Sequence, residues 1–113
     1  MGDPRGRYAV WIQRVVDAVL ATPGHTPSAL RRAALARASR PGESGEELPA
    51  PLAGYVDKVA LHAYQVTDGD VAALQRAGSS EDAVFEITVS AALGAALARL
   101  DRELAALRGE EPA

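Results

Sequence analysis

The chain has 113 residues, a length that favours one domain with a single modest core. Hydrophobic residues make up 48% of it, yet only five residues are aromatic and 24 are alanine, so the core must be built from close helix contacts over small side chains. A net charge of −3 argues against a general nucleic-acid partner, and the lack of cysteine excludes disulfides, thiolate metal sites and thiol redox chemistry by this chain.

The charge is unevenly spread along the chain. Residues 1–40 carry seven arginines and two aspartates, a balance of +5, whereas residues 41–113 carry five basic and thirteen acidic side chains, a balance of −8. We expect the two halves to pack on each other or on a neighbouring subunit. A docking patch for an acidic protein partner is the alternative.

The first segment, "MGDPRGR", lacks the apolar stretch of a secretion signal, and residues 1–6 are expected to be flexible. No uninterrupted apolar run approaches the roughly 20 residues of a membrane helix. The sequence therefore predicts a cytoplasmic protein without a membrane partner.

Two helices are predicted before residue 40. Apolar side chains recur at helical spacing from Tyr8 to Leu20, although four valines and an isoleucine in this segment keep a strand as the alternative. After the break "TPGHTP", Thr26 and Pro27 form a cap and first-turn pair for a second helix that runs to about Ala38. Three arginines are expected on its outward side, where they could bind an anion or simply be solvated: Arg31, Arg32 and Arg37.

Residues 39–49, "SRPGESGEELP", are predicted to form a mobile loop because glycine, proline and glutamate crowd together there. A third helix is predicted from about Pro49 to Tyr64. Its apolar face comprises Leu52, Tyr55, Val56, Val59, Ala60 and Ala63.

A helical hairpin follows at residues 66–86, "VTDGDVAALQRAGSSEDAVFE". Thr67 and Ser79 each stand three residues before an aspartate, the spacing of a capping box. Gly78 lies between the two helix starts, where a short helix would end with positive φ.

The last helix is predicted from near Ser80 to Gly109. At about 1.5 Å per residue it spans about 42 Å, more than a compact domain of this size. It must therefore bend at Gly94 or project. Its second half carries a narrow apolar seam, which predicts an oligomer interface: Leu93, Leu97, Leu100, Leu104 and Leu107.

The hairpin and the last helix, "VTDGDVAALQRAGSSEDAVFEITVSAALGAALARLDREL", resemble the C-terminal half of the alkylhydroperoxidase D-like and carboxymuconolactone decarboxylase family. "TPSALRRAALARA" resembles an earlier helix of that family. The two stretches cover about half of the chain. The resemblance implies an all-α fold of packed antiparallel helices that works as a trimer, a hexamer or another homo-oligomer, such as a dimer. The residues themselves predict a single domain of about five helices with a flexible tail at 109–113.

The redox members of that family use a Cys-x-x-Cys pair with a nearby glutamate and histidine as a proton relay. This chain departs from the pattern completely. In one alignment the thiol positions fall near Ala63 and Val66, and in the other they fall in the 39–49 loop, where Glu46 and Glu47 match the relay glutamate by position alone. Peroxidase chemistry therefore does not carry over, and no metal or cofactor is expected.

Two residues are candidates for acid–base catalysis. Glu86 lies on the apolar half of the last helix, where desolvation would raise its pKa into the range of a general acid or base. His62 follows Lys58 by one helical turn and could carry protons near neutral pH. The simpler interpretation makes Glu86 a solvated or salt-bridged carboxylate and His62 a surface residue, like His25 in the first loop.

Three functions remain open from the sequence. The leading hypothesis is a cysteine-less alkylhydroperoxidase D-like protein with a non-redox assembly, scaffold or small-molecule binding role. The alternative is an acid–base enzyme of the carboxymuconolactone decarboxylase type that acts on a small organic acid or lactone through Glu86 and His62. The third is an accessory subunit that docks on a separate redox or metabolic enzyme. Convergence of Glu86 and His62 on one apolar pocket would favour the enzyme.

Overall fold

The computed structural model describes residues 5–41 and 48–109, and in these ranges every regular element is helical. The five α-helices are α1 (Ala9–Ala21), α2 (Ser28–Ser39), α3 (Ala50–His62), α4 (Asp68–Arg76) and α5 (Glu81–Leu107). Short 3₁₀ turns at Gly6–Tyr8 and Ala63–Gln65 precede α1 and follow α3. The predicted all-α class, the five helices and the long last helix are confirmed.

The first four helices are arranged around α5. The core lies where α2, α3 and α4 meet α5, and its most completely buried members are Ala34, Val56, Ile87 and Ala91. Alanine on both α2 and α5 lets these two helices approach closely, as the composition predicts. At the crossing point a Cβ on Gly94 would collide with the carbonyl oxygen of Leu35, so glycine is needed there.

α5 remains helical through Gly94, and its 27 residues correspond to about 40 Å of helix. That length accounts for most of the longest dimension of the molecule, which measures 47 × 28 × 24 Å. The seam leucines from Leu93 to Leu104 are half-buried in the single chain, whereas Leu107 is 83% exposed. The end of α5 therefore projects beyond the well-packed part of the molecule.

By length and composition alone, α5 also qualifies as a helix that could cross a membrane. Because the sequence has no long uninterrupted apolar run, this property was not predicted. The helix is long enough and its mean hydropathy is high enough, although polar residues interrupt it. Core helices pass the same test, and α5 supplies core residues such as Val84, Ile87 and Ala95.

The hairpin around α4 follows its sequence signals. The Thr67 hydroxyl accepts a hydrogen bond from the Asp70 N–H, while the Asp70 carboxylate accepts one from the Thr67 N–H, which completes the capping box. Gly78 has φ +111° and its N–H donates to Gln75, while the next N–H donates to Leu74. This pair of bonds is a Schellman motif, which ends α4 as predicted.

Two predicted helix caps differ from the structure. α5 is capped by the Ser80 hydroxyl, which accepts from the Ala83 N–H, so Ser79 does not form the second capping box. α2 begins after an extended Pro27, and the hydroxyl of Thr26 donates to Glu86 instead of accepting from the helix. In both cases the cap lies one residue later than predicted.

The predicted flexible segments are only partly described. Within residues 1–6, Arg5 donates two hydrogen bonds of 3.0 Å to the Asp101 carboxylate. Within the 39–49 loop, Ser39 belongs to α2 and Leu48 packs against the core, while Glu46 and Glu47 lie outside the described residues. The tail prediction likewise rests on residues outside the described range, apart from Gly109, which follows α5 with φ +76°.

Ion pairs join the basic first part of the chain to the acidic second part. Besides the contact between Arg5 and Asp101, the Arg37 guanidinium donates bonds of 2.7 and 2.8 Å to the two carboxylate oxygens of Asp57. The hydrogen bond from Arg37 to Asp57 raises the pKa of Arg37. Packing of the two halves on each other, one of the expected arrangements, thus occurs within the single chain.

Candidate functional site

Glu86 anchors the connection between α1 and α2. Its Oε2 accepts a hydrogen bond of 2.7 Å from the His25 N–H, and its Oε1 accepts bonds of 2.8 and 2.6 Å from the N–H and hydroxyl of Thr26. The carboxylate lies so close to this connection that a Cβ on Gly24 would be 2.6 Å from Oε2. A loop that is 60 residues away in sequence is thereby fixed on α5.

These hydrogen bonds reverse the expected electrostatics of Glu86. The bond from the His25 N–H and then the bond from the Thr26 hydroxyl hold the pKa of Glu86 below its ordinary value of 4.5, although partial burial acts in the opposite direction. The expectation of a raised pKa is therefore wrong, because the apolar helix face is crossed by a loop that supplies donors. At neutral pH this side chain is an ionised acceptor, which does not suit it to act as a general acid.

His62 lies at the end of α3 and is exposed. Its ring contacts the Tyr64 ring edge-to-face, with 6.2 Å between the centroids. The lysine one turn earlier does not face His62 as a partner, because Lys58 Nζ donates to the Asp70 carboxylate at 2.9 Å. That hydrogen bond, followed by the one from the Thr67 N–H, lowers the pKa of Asp70.

The structure does not bring Glu86 and His62 together. Arg99 of α5 donates to the carbonyl of Ala60, two residues before His62, and therefore marks the level of His62 along α5. Thirteen positions separate Glu86 from Arg99, about 20 Å along the helix axis. The two candidates for acid–base catalysis lie at different levels of the molecule.

A cavity of about 200 Å³ lies where the end of α1, the α1–α2 connection, α2 and α5 meet. Most of its wall is apolar, with Phe85 exposed at its rim. Two charged side chains contribute to the wall. The lining side chains that matter for its chemistry are Ala18, Val19, Arg31, Phe85, Glu86 and Val89.

Arg31 is the residue of this site that the sequence interpretation misplaced. It was expected on the outer side of α2, but only 5% of it is exposed. Nη1 donates a bond of 2.6 Å to the carbonyl of Val19 near the end of α1, where a cation interacts favourably with the helix dipole. Nε is buried and has no hydrogen-bond partner. Arg32 is exposed as expected, and Arg37 is half-buried against Asp57.

The spacing of α2 contains a signal for this orientation. Arg31, Ala34 and Ala38 lie three and four positions apart on one helix face, and all three are buried. The many alanines of α2 leave its hydrophobic face poorly defined, so the arginine was assigned to the outside with its neighbours. Close packing of Ala34 and Ala38 on α5 turns Arg31 inward.

Neither a group of acidic and histidine side chains suited to a metal ion nor a cysteine occurs in residues 5–41 and 48–109. Comparison with known proteins adds no relative: no family model matches the chain, and neither a curated protein nor a solved structure matches it.

Proposed function

We propose that this chain is a cysteine-less protein of the alkylhydroperoxidase D-like type that works as a homo-oligomer in a non-redox assembly, scaffold or small-molecule binding role. The sequence resemblance and the helical architecture support this proposal. The observation that carries it is an exposed apolar stripe on α1.

The stripe is formed by Trp11 and Val15 of α1, which share one helix face, and by Tyr8 in the 3₁₀ turn that leads into the helix, three residues before Trp11. Trp11 is 69% exposed and Val15 is 52% exposed. Both are large apolar side chains, and Trp11 is the one tryptophan of the chain. The adjoining face of α1 is turned inward, with Ile12 and Val16 half-buried and Leu20 buried.

Soluble monomers rarely expose large contiguous apolar patches, so this stripe supports an interface that a partner covers. Aromatic side chains are enriched in such surfaces, and tryptophan contributes disproportionately to binding energy. A second copy of the chain offers the same stripe, and a two-fold axis would bring the two stripes together. This gives the proposed oligomer a specific contact on α1, in addition to the seam on α5.

The acid–base enzyme lacks comparable support. Its two candidate residues lie at different levels of the molecule, and the pKa of Glu86 is lowered rather than raised. The Glu86 carboxylate also accepts hydrogen bonds from the backbone N–H groups of His25 and Thr26 in the α1–α2 connection. We therefore do not propose a reaction.

The test is light scattering on the full chain at several concentrations. The wild type should have a mass that is a multiple of 11.8 kDa. The double variant Trp11→Ser/Val15→Ser should dissociate with unchanged helical circular dichroism, because the replaced side chains do not contribute to the core.

Leu61→Ser is the matched control, since Leu61 is an exposed apolar residue on α3. It should leave the mass unchanged. A wild type that remains at the mass of one chain over the whole concentration range would contradict the proposed assembly, and so would a double variant that keeps the wild-type mass.

A further inference from the structure

The wall of the cavity between α1, α2 and α5 includes the buried guanidinium of Arg31, which forms no salt bridge with a described residue. Among the residues that the structure describes, the Val19 carbonyl is the hydrogen-bond partner of the Arg31 side chain, and none of their carboxylates forms an ion pair with it. A guanidinium has five N–H donors, so the contact with Val19 accounts for only part of its capacity. A buried charge is costly unless an ion pair or a ligand compensates for it.

The position of Arg31 on the cavity wall identifies what could compensate for this charge. The planar guanidinium matches a carboxylate in geometry and can donate two parallel hydrogen bonds to it. The surrounding wall is mainly apolar, with Val19, Val89 and Phe85 as its larger hydrophobic members. Apolar walls with one or two convergent polar groups are typical of small-molecule sites.

The size and charge of the cavity restrict the ligand further. About 200 Å³ is less than the roughly 300–1,000 Å³ of pockets that hold drug-sized molecules, so the ligand must be small. Glu86 lies on the same wall, ionised and accepting three hydrogen bonds from the α1–α2 connection. Its negative charge would repel a second anionic group. A single carboxylate on an apolar body fits both restrictions, whereas phosphate and dicarboxylates do not.

We propose that this cavity binds a small organic monocarboxylate, with the carboxylate on Arg31 and the apolar body against Val19, Phe85 and Val89. The site lies within one chain and does not require the proposed assembly. Phe85 is 67% exposed and stands at the rim, where it would cover the apolar end of the ligand.

Binding of benzoate tests the proposal, measured by calorimetry and by amide chemical shifts on the full chain at neutral pH. Benzoate should bind saturably and perturb amides near Val19, Arg31 and Val89. The neutral isostere benzamide should bind about tenfold more weakly or worse, because a hydrogen-bonded ion pair contributes more than a neutral contact. Inorganic phosphate and succinate should not compete.

Variants separate the site from general electrostatic attraction. Arg31→Gln should weaken benzoate binding by about tenfold or more, whereas Arg32→Gln removes the same charge from the exposed side of α2 and should not change the affinity. Val89→Trp fills the cavity while Arg31 stays in place, and it should abolish binding. This variant keeps the test decisive if Arg31→Gln does not fold.

The oligomer variant Trp11→Ser/Val15→Ser should bind benzoate like the wild type, so a failure of the assembly proposal does not affect this test. Absence of saturable benzoate binding by the wild type would overturn the proposal. Equal affinities of Arg31→Gln and Arg32→Gln, equal affinities for benzoate and benzamide, or unchanged binding by Val89→Trp would also overturn it.

Discussion

At the scale of single residues, Glu86 shows how one carboxylate can hold a connection in place. It accepts three hydrogen bonds from two consecutive residues of the α1–α2 connection. Periodicity indicated that Glu86 lies on a largely apolar face but could not identify the donors, because they come from a loop 60 positions earlier. These bonds give Glu86 a structural role, whereas the sequence left open a solvated or salt-bridged carboxylate and a candidate for acid–base catalysis.

Glu86→Gln should lower the thermal stability at neutral pH, because the neutral amide accepts hydrogen bonds less strongly than the carboxylate. A loss on the order of 1–2 kcal/mol is expected for a partly exposed, charge-assisted contact. The folded-state pKa lies below the ordinary 4.5, so the carboxylate stabilises the fold above about pH 4.5 and loses this effect as the pH falls through its depressed pKa.

The difference in melting temperature between wild type and Glu86→Gln should therefore be largest near neutral pH and shrink toward pH 3. Differential scanning calorimetry at several pH values measures it. Glu103→Gln, an exposed charge change on α5, is the control and should shift the curve little. A difference that grows on acidification would show that the pKa of Glu86 is raised, as the sequence suggested.

Arg31 illustrates a different limit of sequence analysis at the residue scale. A long basic side chain in an alanine-rich helix is normally solvated, and that rule correctly describes Arg32. Whether an arginine faces inward depends on which alanines form the helix contact, and alanine is compatible with both faces. Arg31 is buried because of the way α2 packs on α5. No local sequence pattern specifies that packing.

At the scale of elements, the chain positions helices by close approach more than by large side chains. Gly94 and Gly54 both lie inside helices, yet their surroundings differ. A Cβ on Gly94 would meet the backbone carbonyl of Leu35, which cannot move aside without separating α2 from α5. A Cβ on Gly54 would have nothing within 4 Å.

Gly54→Ala should stabilise the protein by about 0.5–1 kcal/mol, because alanine restricts the unfolded chain and favours the helix. Gly94→Ala should destabilise it despite the same gain in helix propensity, since overpacking typically costs about 1–3 kcal/mol. Urea unfolding of the two variants beside the wild type provides the comparison. Equal stabilisation by both substitutions would mean that α2 and α5 do not touch at Gly94.

The elements themselves were largely predictable, because their signals are local. The Thr67–Asp70 capping box, the Gly78 helix end and the apolar face of α3 all reappear in the structure. Ala63 is the exception on α3, since the helix tightens into a 3₁₀ turn there and exposes it. The cap of α5 shifted by one residue because Ser79 and Ser80 offered adjacent hydroxyls, whereas the cap of α2 shifted because the Thr26 hydroxyl donates to Glu86.

At the scale of the whole molecule, two apolar surfaces are incompletely covered by the single chain: the stripe on α1 and the seam on α5. The sequence pointed to the seam and missed the stripe. Apolar positions nearly surround α1, and the sequence alone could not determine which of them would face α2 and α5. The seam could be predicted from the sequence because its leucines form a narrow row between charged neighbours.

The seam on α5 can be tested separately from the stripe on α1. Leu100 and Leu104 are half-buried, so part of each side chain already packs within the chain and part remains for a partner. The double variant Leu100→Ala/Leu104→Ala should lower the mass of the proposed oligomer in light scattering while keeping most of the helical signal. Truncation of a buried leucine typically lowers the free energy of unfolding by about 2–5 kcal/mol. Because these leucines are half-buried, we expect part of the loss to affect the fold and part to affect the interface.

Two readouts distinguish these contributions. A fall in mass together with a modest fall in melting temperature is the expected result. An unchanged mass with a lower melting temperature would show that the leucines serve only their own chain, which would leave the α1 stripe as the single candidate for assembly. Because Leu107 is largely exposed, Leu107→Ala should change the mass equilibrium more than the melting temperature if the tail of α5 meets a second copy. The ratio of the two effects along the seam would then locate where the packing within one chain ends and the interface begins.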